Sequence, residues 1–253
     1  MNKQNKNKIR LDTYMVQKDL ASSRERAKRI IMTGKVFVND IVVDKPGTLI
    51  PFEAKVLCKQ KDFPFVSRGG LKLEKAIQEL SLNVANLKCL DIGASTGGFT
   101  DCLLQHGALK IYSVDVGYGQ FDWTLRQNPK IKVIERTNIR YMPFDEIGEK
   151  VDLIVIDTSF ISLKIVIPAS EKFMKSNTRI LALIKPQFEA GKGKVGKGGV
   201  IRDENLRNEV VEDIKNFFEK RGYISEKIVP SPILGPKGNK EFIISLKYLH
   251  ENA

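Results

Sequence analysis

Histidine occurs twice and cysteine three times in the 253 residues. Cys58, Cys89 and Cys102 form no C-x-x-C pair, and His106 and His250 stand far apart, so neither a zinc site nor a disulfide framework is expected. Each cysteine reads as a small hydrophobe in a reducing compartment. Long apolar runs are also missing. The longest, such as 153–156 and 180–184, fall far short of the roughly 20 residues that span a bilayer. The opening MNKQNKNKIR is polar and basic and carries neither a secretory signal nor a lipid anchor. The expectation is a cytoplasmic protein with no stable membrane partner. What is abundant is positive charge: 42 Lys and Arg against 30 Asp and Glu, a net +12. Such an excess calls for a polyanionic partner, nucleic acid first and an anionic membrane surface second. With 42% apolar residues the chain fills one or two cores, which excludes wholesale disorder.

The charge is unevenly spread. Residues 1–60 hold 13 basic and 6 acidic side chains, net +7, whereas 61–253 hold 29 and 24, net +5. The front segment predicts a helix over 11–18, a break, and a helix over 23–33, with Ser22 and Glu25 as a capping box and Gly34 as the stop. Val36-Phe37-Val38 and Ile41-Val42-Val43 flank Asn39-Asp40 as a hairpin. On the second helix Ala27, Ile30 and Ile31 face the core. Arg24, Lys28 and Arg29 then lie outside with Arg26 on one flank, a basic face suited to RNA phosphates. Arg10 before the first helix and Arg68 at the start of the second domain join the same expectation. The layout is a small domain over 1–60, a linker over 61–67 and a second domain over 68–253.

Beyond the linker, Leu71, Leu73, Ala76, Ile77 and Leu80 recur at helical spacing and place Lys72 and Lys75 on an opening helix. Strand-like runs at 88–92, 111–116, 131–135, 151–156 and 180–184 alternate with helical ones. That alternation means an α/β fold, a mostly parallel sheet covered by helices on both faces. A final pair near 223–229 and 241–248, joined by Gly235-Pro236-Lys237-Gly238-Asn239, predicts an antiparallel end. An amphipathic helix over 203–222, with Leu206, Val210, Ile214 and Phe217 aligned, reads as packing on the sheet.

The first strand runs into Asp91-Ile92-Gly93-Ala94-Ser95-Thr96-Gly97-Gly98-Phe99-Thr100, a strand-to-helix glycine turn that lets a ligand press on bare backbone. Ser95 occupies the middle glycine of a dinucleotide fingerprint, and Asp91 would repel a pyrophosphate, so a cationic ligand fits better. Asp115 ends the next strand, where an acid accepts ribose hydroxyls, and Asn138 follows the third, where an amide can meet an adenine edge. Carboxylate, glycine loop, ribose acid and amide stand in the order that S-adenosylmethionine-dependent methyltransferases use. Asp101, one turn into the helix, reads as a surface residue. The run Gly191-Lys192-Gly193-Lys194-Val195-Gly196-Lys197-Gly198 mimics a phosphate loop but puts glycine where Ser or Thr must hold magnesium. It reads either as a basic lid, with Lys192, Lys194 and Lys197 on RNA phosphates or over the site, or as a plain loop.

The fourth strand ends at Asp157 and the fifth at Lys185, beside the crevice that forms at the carboxyl ends of parallel strands. Lys72, on the opening helix, and Glu241, at the start of the last strand, are candidates for the same mouth, a convergence that spacing alone does not show. The set Lys72, Asp157, Lys185 and Glu241 resembles the Lys-Asp-Lys-Glu tetrad of FtsJ-like ribose 2′-O-methyltransferases. Ser67-Arg68-Gly69-Gly70-Leu71-Lys72, the 91–100 loop and Lys185-Pro186-Gln187-Phe188-Glu189 are similar to the TlyA family, also called hemolysin A. The front segment resembles the small RNA-binding domain named for ribosomal small-subunit protein four. Phe63-Pro64-Phe65-Val66 departs from the more polar, Trp-containing linker of some members.

The resemblance implies a Rossmann-like methyltransferase domain, S-adenosylmethionine as cofactor, and cytidine 2′-O-methylation of ribosomal RNA of one or both subunits. The cofactor loop would comprise Gly93, Ser95, Thr96, Gly97, Gly98 and Phe99, with Asp91, Asp115, Asn138 and Asp157. It also implies that Lys185 orients and deprotonates the hydroxyl, that Asp157 positions Lys185, and that Lys72 and Glu241 hold lysine and ribose in line. A lysine crowded by other cations gives up its proton more readily, and attack on a sulfonium methyl needs alignment, so the chemistry is coherent. Two other readings stay open: a membrane-active hemolysin, and a non-catalytic RNA-binding assembly factor that keeps the cofactor fold.

Overall fold

The computed structural model describes residues 8–21, 23–58, 64–191, 193–196 and 198–249. The chain separates into two compact units, residues 1–64 and 65–253.

In the first unit β1 (Lys8–Arg10) leads into α1 (Leu11–Gln17) and α2 (Arg24–Met32), followed by β2 (Val36–Val38), β3 (Ile41–Val42), β4 (Leu49–Pro51) and β5 (Val56–Cys58). Two small antiparallel sheets result: β1 on β4, and β3-β2-β5. Asn39 and Asp40 both take positive φ, 49° and 65°, which is the backbone that closes a two-residue hairpin. Leu11, Met15, Ala27, Ile30 and Ile31 interlock with Val36 and Ile50 in one buried cluster. The cap of α2 differs from expectation. Ser23, not Ser22, is the N-cap, and its hydroxyl accepts from Arg26 N at 3.2 Å; Ser22 lies outside the described residues.

The second unit runs α3 (Gly69–Glu79), β6 (Lys88–Ile92), α4 (Gly98–Gln105), β7 (Lys110–Val114), α5 (Trp123–Arg126), β8 (Ile131–Ile134), β9 (Val151–Ile156), α6 (Leu163–Ser170), β10 (Met174–Ile184), α7 (Pro186–Glu189), α8 (Glu204–Lys220), β11 (Tyr223–Pro230) and β12 (Phe242–Tyr248). Seven strands form one sheet in the order β11-β12-β10-β9-β6-β7-β8. Pairing is parallel from β10 to β8 and antiparallel where β12 joins β10 and β11. Alternate residues of each strand enter opposite layers. Ile154 and Ile156 of β9 pack with Val166, Ile214 and Phe218 from α6 and α8. Leu153 and Val155 pack with Leu73, Ile77, Phe99 and Leu103 from α3 and α4. Both faces are thus dry, and the polar ends of β6, β9 and β10 meet at one edge.

Three details correct the sequence reading. Phe65 is buried in the core of the second unit. Val66 N donates to Asp101 Oδ2 at 2.7 Å, so Asp101 is a buried anchor for the segment ahead of α3, 8% exposed. Around α8 the buried stripe is Arg207, Val210, Ile214 and Phe218: Val210 and Ile214 are as expected, while Arg207, which turns inward to donate to the carbonyls of Ile201 and Arg202, and Phe218 take the places expected for Leu206 and Phe217.

Candidate active site

Glycine makes the floor of the site possible. After β6 the chain turns at Gly93 with φ +85°, and a Cβ there would lie 2.7 Å from the Asp157 carbonyl oxygen. The β6 and β9 loops therefore pass in direct backbone contact, which any side chain would wedge apart. Above them opens a cavity of about 310 Å³, lined on one side by Gly93, Ser95, Thr96, Gly98 and Phe99, and on the other by Lys72, Asp157, Ser159, Lys185 and Gly235.

The four charged residues from four separate segments meet here. Lys72 Nζ donates to Glu241 Oε2 at 2.6 Å and lies 3.7 Å from Asp157 Oδ2. Lys185 Nζ stands 2.6 Å from Asp157 Oδ1 and donates to Ser159 Oγ at 2.9 Å. Two ammonium groups thus share the Asp157 carboxylate, one on each oxygen. Lys72, Lys185 and Glu241 are buried at 7%, 7% and 2% exposure, while Asp157 stays half-buried and faces the cavity. Two positive and two negative charges cancel, which is the condition for keeping them together away from water. A carboxylate and an ammonium at one mouth, with a hydroxyl beside them, can grip and orient a hydroxyl substrate and receive its proton.

The remaining expected ligand residues divide. Asp91 is wholly buried and lies behind the loop, not in the cavity wall: its Oδ2 accepts from Thr100 Oγ1 at 2.6 Å, and Thr100 meets Ser113 at 2.7 Å. Burial pushes the Asp91 carboxyl up to about 7, against the pull of Thr100. Gly97 forms the turn into α4 without lining the cavity. Asp115 accepts from Ser95 N and Gly117 N, both at 2.7 Å, and borders a narrow crevice that shares Ala94 and Ser95 with the cavity. Asn138 Oδ1 accepts from Arg140 N at 3.1 Å, outside the cavity wall. Arg68 is exposed and lines the mouth.

Of the basic candidates in the first unit, Arg10 and Arg24 converge on Asp12. Arg10 donates to both Asp12 oxygens, at 3.0 and 2.9 Å, and Arg24 reaches Oδ2 at 3.3 Å. Hydrogen bonding and charge from the two guanidiniums hold the Asp12 carboxyl well below the usual range. Lys28 pairs with Glu25 at 2.7 Å on the surface. Arg26 is 9% exposed and belongs to the packed face, not to the expected flank, because it follows the cap by one turn and its neighbour Ala27 is fully buried. Lys194 is exposed. Lys192, Lys197 and the side chain of Arg29 lie outside what the structure describes.

Sequence reasoning missed Ser159, Gly235 and Ser67 in the cavity wall, and Phe160. The last is 88% exposed at φ 63° and leans on Phe188 with ring centroids 4.7 Å apart. Only the adjacency of Ser159 and Phe160 to Asp157 offered a signal.

A doubly covered parallel sheet with a glycine loop and a lysine-carboxylate cluster at its carboxyl edge defines a Rossmann-like group-transfer enzyme. The comparison with known proteins is specific. Residues 65–248 match the FtsJ-like methyltransferase model and residues 9–56 the S4 domain, so the chain belongs to the FtsJ-like methyltransferases and carries an S4 domain in front. It is 42% identical to the 16S/23S rRNA (cytidine-2′-O)-methyltransferase TlyA of Mycobacterium tuberculosis, over 97% of this chain and 92% of that one. It is 40% identical to Hemolysin A of Brachyspira hyodysenteriae, over 93% and 98% respectively. A solved candidate hemolysin from Streptococcus thermophilus is 40% identical, superposes with a TM-score of 0.75, and is covered over 90% by 97% of this chain.

Proposed function

We propose that this enzyme methylates a ribose 2′-hydroxyl, on cytidine, in ribosomal RNA of the small subunit, the large subunit or both, with S-adenosylmethionine as the donor. The observation that carries the reading is the Glu241–Lys72–Asp157–Lys185 chain at the edge of a glycine-floored cavity. The identity to the Mycobacterium tuberculosis enzyme supports the substrate.

The donor's fit rests on the bare backbone at Gly93, where a Cβ would strike Asp157, and on a polar wall of Ser95, Thr96 and Asp157 for a zwitterionic, cationic ligand. Gly93, Ser95, Thr96, Gly98 and Phe99 would hold it, with Asp115 along the adjoining crevice. Bound there, S-adenosylmethionine supplies an electrophilic methyl on a sulfonium. Lys185 orients the 2′-hydroxyl and, once its ammonium has given up a proton to solvent, would take the hydroxyl proton as the methyl passes from the sulfonium to the oxygen. Asp157 holds the ammonium that results, and Lys72, fixed by Glu241, keeps Asp157 turned toward Lys185. Ser159 steadies Lys185 Nζ from the far side. The S4 domain, with its excess of basic residues, supplies affinity and register for RNA.

The test is transfer of labelled methyl from S-adenosylmethionine to isolated 30S and 50S subunits and to protein-free ribosomal RNA, with Lys185→Ala beside the parent. Label in RNA with the parent alone, resistant to alkali at one cytidine, is the expected result. Tight RNA binding with no label on any substrate would replace the enzyme with a binding factor.

A further inference from the structure

Outside the cavity, among the described residues, one cluster joins three ligand types, of which only Glu74 is distant in sequence. Cys102 and His106 are one turn apart on α4 and its C-terminal cap, so they share a face. The fold lays Glu74 of α3 against that face. His106 Nε2 lies 2.6 Å and Cys102 Sγ 3.7 Å from Glu74 Oε2, and a carboxylate oxygen, the sulfur and a ring nitrogen all fall within 4.8 Å of one another. The other carboxylate oxygen accepts from Gln78 Nε2 at 2.6 Å, which fixes the orientation of the carboxylate. The Cys102 sulfur is fully buried, whereas the side chains of Glu74 and His106 keep 26% and 31% of their surface. The cluster is therefore closed on the core side and open on the other.

We propose that Glu74, Cys102 and His106 form a binding site for one zinc-class divalent cation, with water as the fourth ligand. Zinc takes thiolate at about 2.3 Å and imidazole nitrogen or carboxylate oxygen at about 2.0 to 2.2 Å, in a tetrahedron whose ligand atoms are roughly 3.3 to 3.7 Å apart. The sulfur-to-oxygen spacing already has that value. The His106–Glu74 contact must widen, by less than an ångström, and the sulfur and ring nitrogen, within 4.8 Å of each other, settle to the same spacing. Oxygen-preferring magnesium and calcium have no use for the sulfur and are excluded by the same donor set. Entry of the cation releases the thiol proton to solvent and requires the neutral His106 ring with its proton on Nδ1, so that Nε2 can ligate.

The role is structural. The α4 helix starts at the glycine loop and the cluster sits at its other end, while α3 carries Lys72. A cation here staples the helix bearing a cavity lysine to the helix behind the cavity floor. Nothing in this proposal depends on the methyl-transfer reading.

Cobalt(II) titrated into the chelator-stripped full-length protein tests it without any assay of activity. One equivalent should raise a thiolate-to-cobalt charge-transfer band with the strong visible bands of a four-coordinate centre, and one equivalent of zinc should bleach both. Cys102→Ser should remove the charge-transfer band and Cys58→Ser should leave it. Because Cys102 is buried, His106→Ala serves as the second variant, at a partly exposed position: it should weaken zinc binding by at least the roughly ten- to hundred-fold that loss of an outer-shell partner costs and reduce any rise of Tm with zinc accordingly. Absence of the band in the parent, or an equal band in Cys102→Ser or His106→Ala, overturns the site.

Discussion

Gly235 shows how closely the charged cluster is fitted. A Cβ built on it falls 2.0 Å from Glu241 Oε1, so Gly235→Ala must push the carboxylate away from Lys72. Lys72 then keeps only its longer contact to Asp157. We expect the variant to fold, since Gly235 lies in a surface connection, and to lose methyl transfer by about a hundred-fold or more through kcat, as removal of a group acting on the transition state does. A single-turnover measurement beside a circular-dichroism melt separates the two effects. Asp91 gives the residue-scale pH prediction. Its folded pKa lies near 7 against an ordinary 3.8, so between these values the folded state holds the extra proton and stability falls as pH rises through that window, then levels off. In Asp91→Asn this part of the Tm-against-pH curve should flatten; an unchanged slope would mean that Asp91 does not titrate there. Lys72 and Lys185 stand in recognisable phrases and Asp157 at a strand end, whereas Glu241 enters the set only through the family resemblance. Gly235 was not legible in the sequence, since its role is a contact with a side chain six residues away that only the loop's path creates.

At the scale of elements, Glu189 joins the two loops that carry the central pair. Its carboxylate accepts from Ser162 Oγ at 2.6 Å and Leu163 N at 2.9 Å, tying the turn after β10, with Lys185, to the start of α6, just beyond Asp157 and Ser159. Burial raises its pKa. Glu189→Ala strands a backbone N–H and a hydroxyl, worth about 1 to 3 kcal/mol of stability, and frees the Asp157 loop. The expected signature is a fall in kcat with KM for S-adenosylmethionine nearly unchanged, partly rescued in Glu189→Gln, which retains one acceptor; a rise in KM alone would count against it. The fold was legible where elements are long and buried. The runs of β6 and β9 read at their observed ends because parallel strands covered on both faces are mostly apolar, broken in KCLDI and VDLIVI only by Lys88, Asp91 and Asp152. Three-residue β1, β4 and β5 carry no turn dipeptide that pairs them with a neighbour, whereas the likewise short β2 and β3 flank Asn39-Asp40. Strand β10 starts at Met174, earlier than expected, because its irregular first half, with a register shift between Met174 and Arg179, carries polar residues. Asp101 and Arg26 were misplaced outward for one reason: charge suggests solvent, and only the tertiary partner reveals an anchor.

The whole molecule consists of two units with separate cores. No described helix is long and apolar enough to cross a membrane. In the first unit the Asp12 carboxylate organises Arg10 and Arg24. Its depressed pKa means that its contribution to stability is present above the unfolded pKa and lost as pH falls through the folded one. Asp12→Asn should therefore lower the Tm at neutral pH and loosen the two arginines, which weakens RNA binding without touching the cavity. Removal of residues 1–64 extends the same logic. The second unit keeps the glycine loop, the four charged residues and both layers of its sheet, so its Kd for S-adenosylmethionine should stay within about three-fold of the parent's, as expected when a separate domain is removed. Residues 1–60 carry net +7 of the chain's +12. Their loss should lower RNA affinity steeply at low salt and reduce the slope of log K against log salt by roughly 0.7 to 0.9 for every phosphate contact removed. Filter binding over a salt series measures both. A truncated protein that loses cofactor and RNA binding in equal measure would mean that the first unit supports the fold of the second and not the capture of RNA.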